Sequence, residues 1–406
     1  MSNRSFELGW LPARWLAHIC LMILMLIPAL FVVAAEDPPH PEGANSKGSK
    51  ANVERLVKLL GDPSFTVREN ATQSLAELGI LAQQGLKRAL VNPDLEIRMR
   101  AHRILLKSLQ SEFAAKIAAF ISDVDGKEEH DLPGWKQFRK TIGSDRNARI
   151  LFAEMLRRES GILEAFDTGK NLEPALSKRL AELRPGNAIG QVNGPQQAHP
   201  ATLAALLFVA TESKLSTNTT LFSQFYTLLN YSSNKRAIQG SRHNDIIMKT
   251  LSQLVLKETS KTSHYYPIML TLNYDMKTTG LTLGRRLLKS RPTSFSTTQY
   301  AAIAVARFGD QNDISLLVPH LTNVSVCHTW SNPQIQPGVI KTQVRDVILA
   351  LLIHMTKQDH KEYGFELLRT TPTTLFHTYT CGFTKEEKRE AAQAKWKTWY
   401  EKNQPK

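Results

Sequence analysis

Apolar residues between positions 53 and 109 recur with the 3.6-residue period of a helix, and the pattern is written twice. Val53, Leu56, Val57 and Leu60 fall at i, i+3, i+4 and i+7, on one helical face. A polar break, Asp62-Pro63, follows. Val67, Ala71, Leu75 and Leu78 then form a second apolar stripe, which Gly79 ends. The phrase returns 30 residues later as Leu86, Ala89 and Leu90, the break Asn92-Pro93, and Ile97, Ala101, Ile104 and Leu105. Asp62 reads as an N-cap, with Pro63 in the first helical position, where a missing N–H leaves no bond unmade. Each two-helix unit has a face too apolar for water, so the units must stack.

Helical periodicity continues from Ser111 to Ile121 and resumes after an acidic loop at 123–131. In that loop Asp-x-Asp-Gly is a poor calcium motif, because Gly126 sits at the wrong position, and a solvated loop is expected. Leu132-Pro133-Gly134-Trp135 opens a further helix, with Phe138, Ile142, Ile150, Leu151, Phe152, Met155 and Leu156 as its core residues. Towards the C-terminus, Tyr300 to Phe308 ends at Gly309, and Ile314, Leu316, Leu317, Val318 and Leu321 begin another unit. A loop from Asn323 to Pro337 replaces the short turn there, and such insertions often line a binding edge. A helix from Val344 to Met355 follows. The last helix, Lys385 to Tyr400, carries Trp396 and Trp399 as packing anchors and caps the open end.

The residues Asp62-Pro63, Val67-Arg68 and Ala71, and their copies Asn92-Pro93, Ile97-Arg98 and Ala101, resemble the HEAT repeat family. The stretches 132–159 and 204–210 resemble exported HEAT-repeat proteins of planctomycete bacteria. The resemblance implies an all-α fold, an alpha-solenoid of helical hairpins with irregular middle units. It also implies that Asp62 and Asn92 stand in the turns, with Arg68 and Arg98 on the second helices in a ladder between neighbouring repeats. The expected blocks are a targeting segment at 1–35, a flexible linker at 36–50 and a helical block at 51–184. A Gly/Pro-bearing linker at 185–200, a basic middle at 201–295 and a C-terminal block at 296–406 complete the chain.

The N-terminus changes the setting. Arg4 and Arg14 precede the uncharged run Trp15 to Ala35, and Val33-Ala34-Ala35 supplies the small residues of a cleavage site. Left uncut, the run is long enough to anchor the chain in a bilayer. Either way the body is expected outside the cytoplasm, periplasmic or membrane-anchored.

Charge is unevenly placed. Residues 231–291 hold eleven Lys or Arg against three acids, more than half of the net +14. Lys235, Arg236, Arg242, Lys249, Arg285, Arg286, Lys289 and Arg291 are therefore candidates for a surface that meets an anionic partner, with Tyr265, Tyr266 and Tyr274 interleaved. A set of solvated helix faces accounts for the same residues. Export argues against nucleic acid as the ligand.

Of three cysteines, Cys20 lies in the apolar run, leaving Cys327 and Cys381 in the body. A Cys327–Cys381 disulfide fits export. A zinc site would draw on His377 and Cys381, at helical i, i+4 spacing, but no CxxC accompanies them. Unpaired thiols with surface histidines, among them His328, His354 and His360, are the third reading. No GxSxG, HExxH, GxGxxG, P-loop or kinase signature occurs. The expectation is a non-catalytic exported scaffold, without cofactor, that binds protein or an envelope component. One alternative is a metal- or thiol-dependent enzyme around Cys327, His377 and Cys381. The other is an electrostatic binder of anionic polymer or membrane through 231–291.

Overall fold

The periodic segments fold as helices, and the chain is mostly helical. The computed structural model describes residues 48–184, 197–213, 219–257, 264–290, 294–332 and 336–403. The targeting run at 15–35, most of both linkers, and Arg291 lie outside them. No helix among the described residues is long and apolar enough to cross a membrane. The chain divides into two compact units at Phe113/Ala114, inside the stretch 51–184 expected as one block.

The first unit holds α1 (Lys50–Leu59), α2 (Phe65–Leu78), α3 (Gln83–Ala89) and the start of α4 (Leu95–Ser122). Its core is the doubled stripe: Leu60, Leu75, Leu86 and Ala101 are closed off from solvent, and Val53, Leu56 and Ile104 pack around them. α3 lies so close to α1 that a Cβ on Gly85 would stand 2.4 Å from Val53 Cγ1. Gly79 ends α2 at φ +54°, a conformation glycine adopts without strain.

The turns differ from expectation. α2 begins at Phe65, so Asp62 and Pro63 precede the helix instead of capping it. Asp62 Oδ1 accepts the Ser64 N–H at 2.8 Å and Asn92 Oδ1 accepts the Asp94 N–H at 2.9 Å. Both are Asx turns, which push the helix start beyond the residue that makes them. In the second copy Asp94 takes over as cap, accepting from Glu96 and Ile97. Arg68 Nη1 donates to the carbonyls of Asp62 (2.7 Å) and Pro63 (3.0 Å), and Arg98 Nη1 to those of Asn92 (2.6 Å) and Pro93 (2.8 Å). Each arginine thus staples its own turn. Arg68 Nε also lies 3.4 Å from Glu96 of the next hairpin. The firmer link between hairpins is Arg100, which donates to Glu69 and Thr72 at 3.1 Å.

The second unit continues with α5 (Trp135–Thr141), α6 (Arg146–Thr168), α7 (Leu172–Glu182), α8 (Pro200–Glu212), α9 (Thr219–Asn230), α10 (Ser232–Gln239), α11 (Asn244–Lys257), α12 (Tyr265–Asn273), α13 (Lys277–Lys289) and α14 (Phe295–Phe308). A single turn, α15 (Ile314–Leu317), leads to a hairpin of β1 (Val326–Asn332) and β2 (Gln336–Gln343). Then come α16 (Val344–Met355), the two-residue pair β3 (Thr370–Thr371) and β4 (Leu375–Phe376), and α17 (Glu386–Asn403). α6 packs on α8, α8 on α11, α12 and α13 on α14, and α14 on α16. α8 and α16 are apolar on every side and buried from Ala201 to Val209 and from Val347 to Ile353, as helices without a polar face must be.

Buried ion pairs hold these helices in register. Glu159, at a kink in α6, accepts from Arg179 Nε (2.9 Å) and Nη2 (2.8 Å) on α7 and from Thr202 Oγ1 (2.8 Å) on α8. The acidic loop is not a solvated one at its root. Asp123 is half-buried with its side chain only 6% exposed, and it accepts from Lys127 and Glu128 N–H, from Arg149 and from His130, at 3.0–3.2 Å. Arg149 lies over the Phe120 ring. The expected loop from Asn323 to Pro337 is largely β-structure: β1 and β2 pair antiparallel, with Val326 opposite Gln343 and Trp330 opposite Ile340. On the closing helix Trp396 is buried and stacks on Tyr400 of the same helix, Trp399 is half-buried, and Arg389 binds the wholly buried Asp346 of α16.

Candidate functional site

A strip of aromatic side chains crosses the second unit. α9 carries Phe222 and Tyr226 one turn apart, α12 opens with Tyr265-Tyr266, and Tyr300 lies midway along α14. All five are half-buried. Their rings form a cluster: Tyr226, Tyr265 and Tyr266 meet one another at 4.6, 5.4 and 6.4 Å between centroids, Phe222 joins at Tyr266 (6.4 Å) and Tyr300 at Tyr265 (5.2 Å). These are tilted and edge-to-face contacts, the arrangements aromatic quadrupoles prefer. Tyr265 and Tyr300 share a hydrogen bond, and Tyr300 also bonds Thr378. Burial and the neighbouring phenols push Tyr226 up to about 12, and burial also raises Tyr265 and Tyr300. The hydroxyls stay protonated and neutral at any physiological pH.

The strip leads to a cleft. Thr378, which bonds Tyr300, also bonds His328 Nε2 at 2.8 Å and precedes Tyr379 in the chain. Tyr379 and Trp330 meet edge-to-face, centroids 5.5 Å apart, as two walls of a cavity of about 450 Å³. Ser331 and the extended segment Glu366–Arg369 line the rest. Thr342 Oγ1 donates to Tyr379 O at 2.7 Å, so β2 fixes that wall. A Cβ on Gly382 would stand 2.5 Å from Thr342 Oγ1, and only glycine allows the approach. Glu366 is neutralised by Lys388 at 2.7 Å. Arg369 is exposed and has no carboxylate partner among the described residues, which leaves the cleft with one uncompensated positive charge. The Trp330 indole N–H is closed off from solvent and finds no acceptor among the described residues.

The residues singled out in the C-terminal block gather around this hairpin, where cysteines and histidines are held mainly by packing. Cys327 and Cys381 are free thiols, near enough for each to influence the other electrostatically. Cys327 Sγ donates to Thr342 O at 3.3 Å. Burial, reinforced by Asp346, pushes the Cys327 thiol up to about 12 and the Cys381 thiol well above its ordinary value. Neither supplies the thiolate that a nucleophile requires. His377 and Cys381 do not share a helix face. Residues 378–381 form a 3-10 turn, with His377 exposed before it and Cys381 buried at its end. His354 and His360 pack edge-on against Phe376 (5.8 and 4.9 Å), and His360 Nε2 donates to Ala350 O. Burial lowers His328, His354 and His360, so they are neutral. Among the described residues no three His, Cys, Asp or Glu side chains are grouped to hold a metal ion.

The basic middle is largely engaged within the protein. Arg285 grips Asp313 in a two-pronged pair at 2.7 and 2.9 Å, tying α13 to the turn before α15. Arg242 pairs with Glu154. Lys249 Nζ donates to Ile142 O and Arg286 Nη1 to Leu256 O. Of the seven that are described, Lys235 and Arg236 on α10 and Lys289 at the end of α13 have no anion or carbonyl in hydrogen-bonding reach among the described residues. Tyr274 is buried, its hydroxyl donating to Leu229 O at 2.7 Å. Tyr265 and Tyr266, interleaved with the basic stretch in the sequence, lie in the aromatic cluster, whereas Phe222, Tyr226, Tyr300, Trp330, Arg369 and Tyr379 were not singled out from the sequence. Trp330 lay within the loop flagged as a binding edge. The others carry no local signal, since single aromatics on helix faces are ordinary core residues.

No family model, no curated protein and no solved structure matches this chain.

Proposed function

We propose that this is an exported, non-catalytic binding protein, a HEAT-like solenoid that engages an extended component of the cell envelope along the aromatic strip and in the hairpin cleft. The observation that carries the reading is the run of half-buried rings from Phe222 to Tyr300, continued through Thr378 into the cavity between Trp330 and Tyr379. Aromatic faces with convergent hydroxyls and one free cation form a recognition surface. Burial raises the Cys327 and Cys381 thiols and lowers His328, His354 and His360, which favours binding over chemistry. Arg68 and Arg100 between the two N-terminal hairpins support a repeat scaffold. The apolar run at 15–35 and its cleavage pattern support export.

The test is a photo-crosslinking residue placed at exposed Ser331, with irradiation in the native envelope. Covalent capture of an envelope component, abolished by Trp330→Ala, is expected. Capture no greater than from a control position such as Lys361, together with turnover of a hydrolase substrate panel, would overturn the reading.

A further inference from the structure

The repeat pair leaves one side of α4 uncovered, in the first unit and independent of the strip and cleft. Leu95, Met99, Leu106 and Leu109 are 39–62% exposed. With exposed His102 and half-buried Phe113 they recur every three or four residues, on one side of the helix. Further along, the same side carries Ile117 and Phe120, both buried, Phe120 against Trp135 and Phe152. A different side, Ile97, Ala101, Ile104 and Leu105, forms the core of the unit. α4 thus has two apolar sides, and one lies open over about 27 Å, from Leu95 to Phe113. The repeat explains its position. α2 turns Glu69 and Thr72 to α4, where Arg100 bonds both. Thirty residues on, Met99 and His102 hold those places, and Leu106 stands where α2 has Ala76. The open side is therefore the one on which a further helix stacks, and it is more apolar than the side already covered.

Three occupants are to be weighed: a bilayer, a second copy, or a helix of another protein. A flat bilayer meets the crest of the helix, opposite core-facing Ala101. By helical spacing that crest is Gln110 and Arg103, both exposed, and the apolar stripe lies to one side of it, facing along the stack. A second copy stacked head to tail would bring its first hairpin, whose far side on α2 is exposed Thr66, Asn70, Gln73 and Glu77; these would be buried against leucines. A second copy stacked face to face sets like charges together, because Arg98 flanks the stripe on one side and Arg103 and Lys107 on the other. A partner helix with acidic flanks meets neither obstacle. The acids of α4 are already engaged, Glu96 with Arg100 and Arg68 and Glu112 with Gln83. Arg103 and Lys107 are exposed and have no carboxylate partner among the described residues. We infer that the open side of α4 docks an amphipathic helix of a partner protein, about five turns long, whose apolar stripe is flanked by Asp or Glu.

Fluorescence anisotropy on the full chain tests this with two labelled synthetic helices of about three heptads, leucine at the a and d positions, one flanked by Glu and the other by Lys. The acidic helix should bind about tenfold more tightly than the basic one, and Arg103→Glu with Lys107→Glu should reverse that order. Met99→Glu with Leu106→Glu should weaken the acidic helix about tenfold, while Leu81→Glu, at an exposed leucine outside the stripe, should leave it unchanged. All these positions are exposed, so the variants are expected to fold, and an unchanged thermal midpoint checks this. Equal affinity for the two helices, or no binding of the acidic one at millimolar concentration, overturns the inference. So does lipid captured by a photo-crosslinker at position 99 in phosphatidylglycerol vesicles, which makes a bilayer the occupant. A dimer in sedimentation velocity that Met99→Glu dissociates overturns it in favour of a second copy. Capture at Ser331 bears on the cleft alone, so either claim can fail without the other.

Discussion

Replacing Arg389 by methionine is the sharpest perturbation of the scaffold beneath the cleft. Asp346 has a fully buried side chain, and Arg389 donates to it from Nε at 2.7 Å and from Nη2 at 3.2 Å. The same guanidinium reaches Lys341 O on β2 at 2.9 Å and pairs with Glu386. One side chain therefore joins α16, β2 and α17. In Arg389→Met the carboxylate keeps a single donor, the Gln343 N–H at 2.9 Å, and is otherwise stranded. Removing one partner of a buried pair costs about 3–5 kcal/mol. With an m-value of about 3 kcal/mol/M the urea midpoint should fall by about 1–1.7 M. Burial already raises the Asp346 carboxyl above the usual range even with Arg389 present, and loss of the guanidinium raises it further. A raised carboxyl contributes most at low pH, where it is protonated, and its contribution is lost as pH rises through the folded value. The defect should accordingly be larger at pH 8 than at pH 5. Asp346→Asn in the Arg389→Met background removes the stranded charge and keeps the acceptor for Gln343, so it should restore more than half of the loss at pH 8. The assay is equilibrium urea unfolding followed by circular dichroism at both pH values. A midpoint shift below about 0.3 M, or a double variant no better than the single, would refute the reasoning.

Three further outcomes follow from the same geometry. Arg98→Ala removes two bonds to turn carbonyls and should cost about 1–2 kcal/mol; a loss within error of zero in urea unfolding would show that the Asx turn holds itself. Asp123 is held at about 2, well below its ordinary 3.8: burial acts to raise it, but His130, the Glu128 and Lys127 N–H groups and Arg149 together outweigh that. A depressed carboxyl contributes fully above its unfolded value and loses that contribution as pH falls through the folded one. The Lys127 and Glu128 amides should therefore exchange slowly, relative to intrinsic rates, down to pH 4 and lose protection towards pH 2, whereas Asp123→Asn exposes them already at neutral pH; a pH-independent protection factor would be inconsistent with this. Cys327 and Cys381 are free thiols, so protein denatured and alkylated without reductant should take full label at both sites by mass spectrometry; no label at either would show that they pair.

What could be read from the chain follows how local the cause was. The doubled stripe from Val53 to Leu105 specifies its own core, because a helix that must bury one face writes that need every three or four residues. The turns were harder. Asp62-Pro63 fits a cap by composition, yet the Asx turn to Ser64 moves the helix start by two residues, a competition between two local bonds that composition does not rank. The stretch from Asn323 to Pro337 was expected as a loop, because it replaces the short turn of the repeat pattern. Its strands are held by partners distant in sequence, such as Thr342 on the Tyr379 carbonyl and Arg389 on the Lys341 carbonyl.

The basic middle shows why charge counts mislead. Arg285 and Arg242 look like free cations in the sequence because their acids, Asp313 and Glu154, lie outside the window in which charge was summed. The aromatic strip shows the converse. Phe222, Tyr226, Tyr265, Tyr266 and Tyr300 are spread over 79 positions on three helices, and nothing in any one helix distinguishes them from packing residues. Packing of α9, α12 and α14 brings them into one cluster, so a surface of this kind is a property of the tertiary fold. Regular repeats can be read directly from the sequence because each unit repeats the same structural need. A site assembled from one ring per helix leaves no repeat to read, and it ends where the pattern breaks, at a hairpin whose strands give the cleft a shape that stacked helices alone do not make.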